Sequence, residues 1–239
     1  LEKKIAEENV KIMKQLNKEK NKLISIISHD FRAPLNNFQG YLNIIKKTDL
    51  NEADRDKLQD ELSRSTDEAQ RLLDNLMSWT IKQMDGASYE LSSFNLMNCL
   101  AELIQDGKSA AAKKGIGFVV QIPMDLIVKA NQGLLQLMLR NLINNAIKFT
   151  SSEGTITIYA ETVMGDCLLR IADTGKGIDE EDQQSIFTLD IKSSFGTNGE
   201  KGIGLGLVLC KEFADIQHID INFKSKKDVG TTFELTIPN

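Results

Sequence analysis

The sequence predicts an α+β chain in two parts. A long helical hairpin, pairing with a second copy as a four-helix bundle, is followed by an α/β two-layer sandwich with a mixed sheet. Three observations carry this. Residues 1 to about 47 hold no glycine before Gly40 and one proline, Pro34, with apolar residues recurring at three- and four-residue steps. Beyond DGASYELSSF the pattern changes to alternating helices and strands. The 239 residues are 41% hydrophobic and 26% charged, which is ordinary for a soluble chain with a real core.

The first helix follows a heptad through Ile5, Asn9, Ile12, Leu16, Glu19, Leu23 and Ile26, with Asn9 and Glu19 as polar interruptions that set register. After Pro34 the apolar seam runs through Leu35, Phe38, Leu42 and Ile45, out of phase with the first. Proline lacks an N–H and clashes with the preceding turn, so a kink and the phase change belong together. TDLN at 48–51 is a break, and Asn51 with Asp54 three residues on is an N-cap signal. A second helix then carries Leu58, Leu62, Ser65, Ala69, Leu72, Leu76, Trp79 and Gln83 on one stripe. So thin a hairpin cannot bury two stripes alone, which points to a homodimer; a hairpin capping its own domain in a monomer is the alternative. The domains are expected at 1–90 and 91–239, joined by a linker near 86–93.

In the second part, helices are expected at about 95–114, 131–149, 180–187 and 204–217. Strands are expected at 118–122, 155–161, 167–172, 219–223 and 232–237. The sheet should be mixed but mainly antiparallel, with helices on one face.

A net charge of −5 argues against nucleic acid as partner. Cys99, Cys167 and Cys210 are scattered, without a CxxC, and two histidines complete no zinc set, so a reduced, cytoplasmic setting is expected. No apolar run approaches a membrane span, and the opening LEKKIAEENVKIMKQ has no signal-peptide core. This stretch of chain is therefore not expected in a membrane. It opens mid-helix without Met, and the expectation is a piece of something longer, with any sensor or anchor elsewhere.

Three polar constellations carry the chemistry. In NQGLLQLMLRNLINNAIKF, a helix apolar almost all round, Asn141, Asn145 and Lys148 fall at i, i+4 and i+7 and share a face. Amide oxygens suit Mg²⁺ shared with phosphate, and lysine meets phosphate as a point charge. A helix with a few solvent-facing amides is the other reading. Asp173-Thr-Gly175-Lys-Gly177-Ile178 follows the strand CLLRIA. A carboxylate there can accept from an exocyclic amine, while two glycines let backbone approach a flat ring; a plain Asp-Gly turn would look the same. Gly202-Ile-Gly204-Leu205-Gly206-Leu opens the helix LVLCKEFADI, so amides and the positive end of the helix dipole are exposed for phosphate oxygens. The string is neither GxGxxG nor GxxxxGK[ST]. TLDIKSSFGTNGEK, at 188–201, has the composition of a lid.

Taken in order, NLINNAIKFT, DTGKGI and GIGLGL resemble the ATP-binding domain of sensor histidine kinases, whose fold is shared with chaperone and mismatch-repair ATPases. Ser28-His29-Asp30-Phe31-Arg32-Ala33-Pro34-Leu35, on the hairpin, resembles the phosphoacceptor box of the same family, and the likeness covers nearly the whole chain. It implies autophosphorylation of His29 from ATP with Mg²⁺, with Asp30 as general base. It then implies transfer to an aspartate of a response-regulator receiver domain, in a homodimer. It further implies Asn145 as Mg²⁺ ligand, Asn141 near metal and phosphates, Lys148 on a phosphate, Asp173 on the adenine amine and Phe149 packed near the adenine. Gly175, Gly177, Ile178, Gly202, Gly204, Leu205 and Gly206 would shape the pocket, and Thr232 would reach adenine through water. A dimeric scaffold that binds ATP without transfer, or a chaperone-type ATPase, are the competing classes.

The chain departs from the family in places. Ala33 stands where Thr or Asn commonly positions a water for phosphatase activity, and a methyl offers no hydrogen bond. Phe187 matches the aromatic segment before the lid but the residues after it do not. Asn131 replaces a common Asp and serves equally as an N-cap.

Overall fold

The computed structural model describes residues 35–45, 51, 54–59, 61–63, 65, 66, 69, 90–188, 196, 197 and 205–238. The heptad at 1–27, the Pro34 kink, His29, Asp30, Trp79, Gly202 and Gly204 lie outside the described residues, as does the side chain of Leu205. The chain divides into two compact units, Leu1–Asp85 and Gly86–Asn239.

In the first unit, helix α1 spans 35–45, and helix α2 is described in pieces at 54–59, 61–63 and 65–66. Asn51 caps α2 as its sequence suggests, its Oδ1 accepting the Asp54 N–H at 2.8 Å.

The second unit runs β1 (Ser92–Asn95), α3 (Leu96–Lys113), β2 (Gly117–Gln121), β3 (Ile127–Ala130), α4 (Gln132–Phe149), β4 (Thr155–Val163), β5 (Asp166–Asp173), α5 (Glu180–Gln183), α6 (Leu205–Ile216), β6 (Asp220–Lys226) and β7 (Gly230–Ile237). The main sheet has the order β2-β4-β5-β7-β6. Only β2 and β4 are parallel; the β4–β5, β5–β7 and β6–β7 pairs are antiparallel. The mixed, mainly antiparallel sheet read from the sequence is present.

Strand alternation explains why the sheet has one covered face. Phe118, Ile156, Asp173 and Thr231 are cross-strand partners in sequence across β2, β4, β5 and β7, as are Ile158, Ile171, Phe233 and Phe223 across the last four strands. This face carries the buried residues and receives α3, α4 and α6. Leu135, Met138, Leu139, Leu142 and Ile143 of α4 are buried to within 2% against it. Each contributes roughly 1.5–3 kcal/mol of apolar burial.

On the other face most of the partners are polar. Arg170 reaches Glu161 at 3.1 Å and Glu234 at 3.4 Å, and Lys224 reaches Glu234 at 2.8 Å, a charge ladder across four strands. The two lysine and arginine contacts hold the Glu234 carboxyl below its ordinary range, with the Lys224 hydrogen bond as the larger cause.

The sequence gives no warning of the two-stranded ribbon of β1 and β3. Each strand has four residues, SSFN and IVKA, too few to display a period. Their register pairs Ser92 with Ala130 and Asn95 with Ile127. The ribbon therefore delivers two N-caps: Asn95 for α3, accepting the Asn98 N–H at 2.8 Å, and Asn131 for α4, accepting the Leu134 N–H at 3.1 Å.

Candidate functional site

The site is built on the covered face, where the end of β5, beside the start of β7, meets α4, with α6 packed against α4. Asp173 closes β5. Its Oδ1 accepts the Gly175 N–H at 2.9 Å and the Thr231 N–H at 3.3 Å. Burial pushes this carboxyl above its ordinary value, and the two backbone N–H groups pull it partly back. Both amides use one oxygen, so the carboxylate is clamped in orientation while Oδ2 has no part in these bonds. That is a fixed acceptor at the edge of a half-buried site.

The turn after Asp173 is set by close backbone approach. A Cβ on Gly175 would run into the Phe149 carbonyl at the end of α4, and would lie 2.8 Å from Asp173 Oδ1. The next residue, Lys176, donates its N–H to that same Phe149 carbonyl at 3.1 Å and accepts from the Asp228 N–H at 2.7 Å. Gly177 has φ +67°, a conformation that suits glycine, and a side chain there would strike the Lys226 carbonyl. Ile178 is held by its own N–H, which donates to Ser225 Oγ at 2.9 Å.

Helix α4 places Asn141, Asn145, Lys148 and Phe149 on its half-buried side while its apolar residues fill the core. The Lys114 ammonium, at the end of α3, donates to the Ile147 carbonyl at 2.8 Å and the Lys148 carbonyl at 3.0 Å. A cation here complements the negative end of the α4 dipole and fixes the turn from which Lys148 projects. The Lys148 carbonyl also accepts from the Thr197 N–H at 3.0 Å and its hydroxyl at 3.2 Å. Around Phe149, the Nζ atoms of Lys148 and Lys176 each lie 4.7 Å from the ring centroid. The ring thus collects two cations at the rim of the site.

Helix α6 starts at Leu205, and its first turn packs on α4 without slack: a Cβ on Gly206 would sit 3.1 Å from Asn141 Oδ1. The amides and positive dipole end of α6 are thereby brought beside the carboxamide stripe of α4. Asn141, Asn145, Lys148, Phe149, Asp173, Gly175, Gly177, Ile178 and Gly206 fall on segments that the fold brings to one region.

The strand register sets one expected site residue apart from the others. Thr232 pairs with Ala172 and Lys224, on the charged face of the sheet, and is separated from Asp173 by the thickness of the backbone. The preceding Thr231 is the cross-strand partner of Asp173, 6% exposed, with its hydroxyl 2.9 Å from Ser225 Oγ. In GTTF the two threonines are chemically alike, and only the strand register separates them.

The thiols take no part. Cys99, Cys167 and Cys210 are buried and unbridged; burial pushes the first two up to about 11 and raises Cys210 as well. Cys210 packs as expected, its Sγ 3.5 Å from the Met138 carbonyl. Among the described residues no cluster of His, Cys, Asp and Glu could hold a metal ion, and no helix is long and apolar enough to cross a membrane.

Residues 130–239 match the family model for histidine kinase-, DNA gyrase B- and HSP90-like ATPases. Residues 19–81 match that for the His kinase A (phospho-acceptor) domain. The chain is 29% identical over 221 residues to the autoinducer 2 sensor kinase/phosphatase LuxQ of Vibrio vulnificus, covering 89% of this chain and 26% of that protein. It is 28% identical over 236 residues to the adaptive-response sensory kinase SasA of Prochlorococcus marinus, covering 98% of this chain and 61% of the relative. It therefore spans between about a quarter and three fifths of these relatives' length. A solved structure of histidine kinase ThkA in complex with response regulator protein TrrA has a TM-score of 0.68 at 24% identity, over 98% of this chain and 65% of that one, and shares the fold. With a phosphoacceptor model and an ATPase model matched one after the other, and an α+β ATPase fold behind the second, the chain belongs to the sensor histidine kinases of two-component systems.

Proposed function

We propose that the second unit binds Mg-ATP and that the chain transfers the γ-phosphoryl group to His29, from which it passes to an aspartate of a response-regulator receiver domain. The observation that carries the nucleotide half is the Asp173 carboxylate, clamped through one oxygen by two backbone amides beside the glycine turn. Such a group accepts from an exocyclic amine in a fixed direction, which is how a site selects adenine. Asn141, Asn145, Lys148 and the first amides of α6 then serve the phosphates. The two carboxamides are oxygen donors on one half-buried face, which fits Mg²⁺. The ion would neutralise charge on the triphosphate.

Transfer is assigned to the phosphoacceptor box within residues 19–81. A neutral imidazole nitrogen of His29 forms the P–N bond as the bond from the γ-phosphorus to ADP breaks, and Asp30 accepts the imidazole proton. Positioning and charge neutralisation are the main demands of phosphoryl transfer, so Lys148 and the α6 amides suffice beside the ion. Homodimerisation of the hairpin is supported by α1, where Leu35, Leu42 and Ile45 are 55%, 54% and 51% exposed in one chain. A receiver domain as partner is supported by ThkA, whose structure contains a response regulator. Ala33 argues that the chain acts as a kinase rather than a phosphatase by the water-positioning route.

Calorimetric titration with ATP tests the site. Wild type should bind with Mg²⁺ present, and Asn145→Ala should lose most of the Mg²⁺ enhancement, weakening binding by about 10- to 100-fold. Binding that ignores both Mg²⁺ and the Asn145 substitution would contradict the assignment.

A further inference from the structure

Gln217, just past α6, is 2% exposed, and both ends of its amide are used. Its Oε1 accepts the Asn131 N–H at 2.8 Å. Its Nε2 donates to the Phe213 carbonyl at 3.1 Å and lies 3.7 Å from Met138 Sδ. Asn131 caps α4, and Phe213 belongs to α6, so this one side chain ties the start of α4 to the end of α6.

Two further contacts extend the seam. Cys210 Sγ lies 3.5 Å from the Met138 carbonyl, and the Gly206 position faces Asn141 Oδ1 with only 3.1 Å for a Cβ. From Asn131 through Met138 to Asn141, α4 meets Gln217, then Cys210, then Gly206, in descending order along α6. The helices are antiparallel neighbours. One end of the seam is the proposed phosphate site, and the other is Gln217. The separation along α4 is ten residues, about 15 Å at 1.5 Å per residue.

We infer that Gln217 is a positioning residue for nucleotide binding: it fixes the longitudinal register of α6 against α4, and so the gap between the α6 amides and Asn141. The inference rests on the nucleotide reading above. Hydrophobic contact along the seam is non-directional and tolerates sliding, whereas a buried amide bonded at both ends does not. At the phosphate end the two helices come close, since even a Cβ on Gly206 would lie 3.1 Å from Asn141 Oδ1. An apolar residue at 217 removes the acceptor of the part-buried Asn131 N–H, and with it the bond that holds the start of α4 to the end of α6.

Gln217→Met tests this in the full chain, since methionine keeps the length of the side chain but supplies neither bond. Leu100→Ala, a core substitution in α3, serves as a control for lost stability. The KM for ATP should rise about three- to tenfold in Gln217→Met, by more than kcat falls, because the α6 amides hold the phosphates in the ground state as well as in the transition state. Leu100→Ala should lower Tm and leave KM alone. Independently of any variant, hydrogen exchange of the Asn131 amide in wild type should slow when ATP binds. Unchanged KM in Gln217→Met, an equal rise in Leu100→Ala, or an Asn131 amide indifferent to ATP each overturns the inference while leaving the nucleotide reading intact. A wild-type chain that binds no ATP overturns both.

Discussion

At the scale of single residues the account turns on Asp173. Burial raises its carboxyl above the ordinary value near 3.8, against the pull of the Gly175 and Thr231 N–H groups. A raised carboxyl binds its proton more tightly in the folded chain than in the unfolded one. The charged form therefore costs stability at neutral pH, and the cost fades as pH falls through the folded value. Asp173→Asn keeps an oxygen for the two amides and removes the charge. Its Tm should exceed that of wild type at pH 7 and converge with it toward pH 4, while ATP affinity falls about 10- to 100-fold. Thermal melts across pH, paired with nucleotide titration, would check both signs. A lower Tm at pH 7 would mean the carboxylate is structural. Asp173 was legible in the sequence because a strand runs straight into DTGKG. Thr231 was not, because two adjacent threonines differ only in the face their strand presents.

At the scale of elements, α4 was the most legible piece of the molecule. Its apolar periodicity forces the few polar positions onto one side, and Asn131 and the KFT ending mark both limits. The short ribbon strands β1 and β3 were illegible, since four residues carry no period and their pairing is a tertiary fact. The turn after β5 was legible as glycine-rich, yet the reason for each glycine lies in a distant element. Gly175 is small because α4 ends against it, through the Phe149 carbonyl. Gly175→Ala should therefore destabilise the chain by roughly 2–4 kcal/mol, since backbone rather than a flexible side chain has to yield. Urea denaturation would read this as a lower midpoint with an unchanged slope. A shift below half a kcal/mol would mean that the turn relaxes without cost.

At the scale of the whole molecule, the order of the parts made the family visible: a histidine-bearing hairpin ahead of an asparagine-rich helix and two glycine motifs. Composition alone argued against nucleic acid as partner and showed no apolar run of membrane-spanning length, but could not single out a kinase. The helical hairpin also makes a claim about assembly. Leu35, Leu42 and Ile45 recur at steps of seven and three along α1 and are half-exposed in one chain, a stripe that a second copy would bury. Leu42→Glu should shift sedimentation from dimer to monomer at micromolar concentration, because a carboxylate in such a seam has no partner. A wild type that sediments as a monomer would remove the four-helix bundle from the account.

The central claim is tested most directly by incubating the chain with γ-labelled ATP and Mg²⁺, then comparing wild type with His29→Ala and challenging the label with acid. Phosphoramidate bonds to histidine are acid-labile, so the account predicts label on the wild type that acid removes and none on His29→Ala. Label that survives acid, or that persists in His29→Ala, would contradict it.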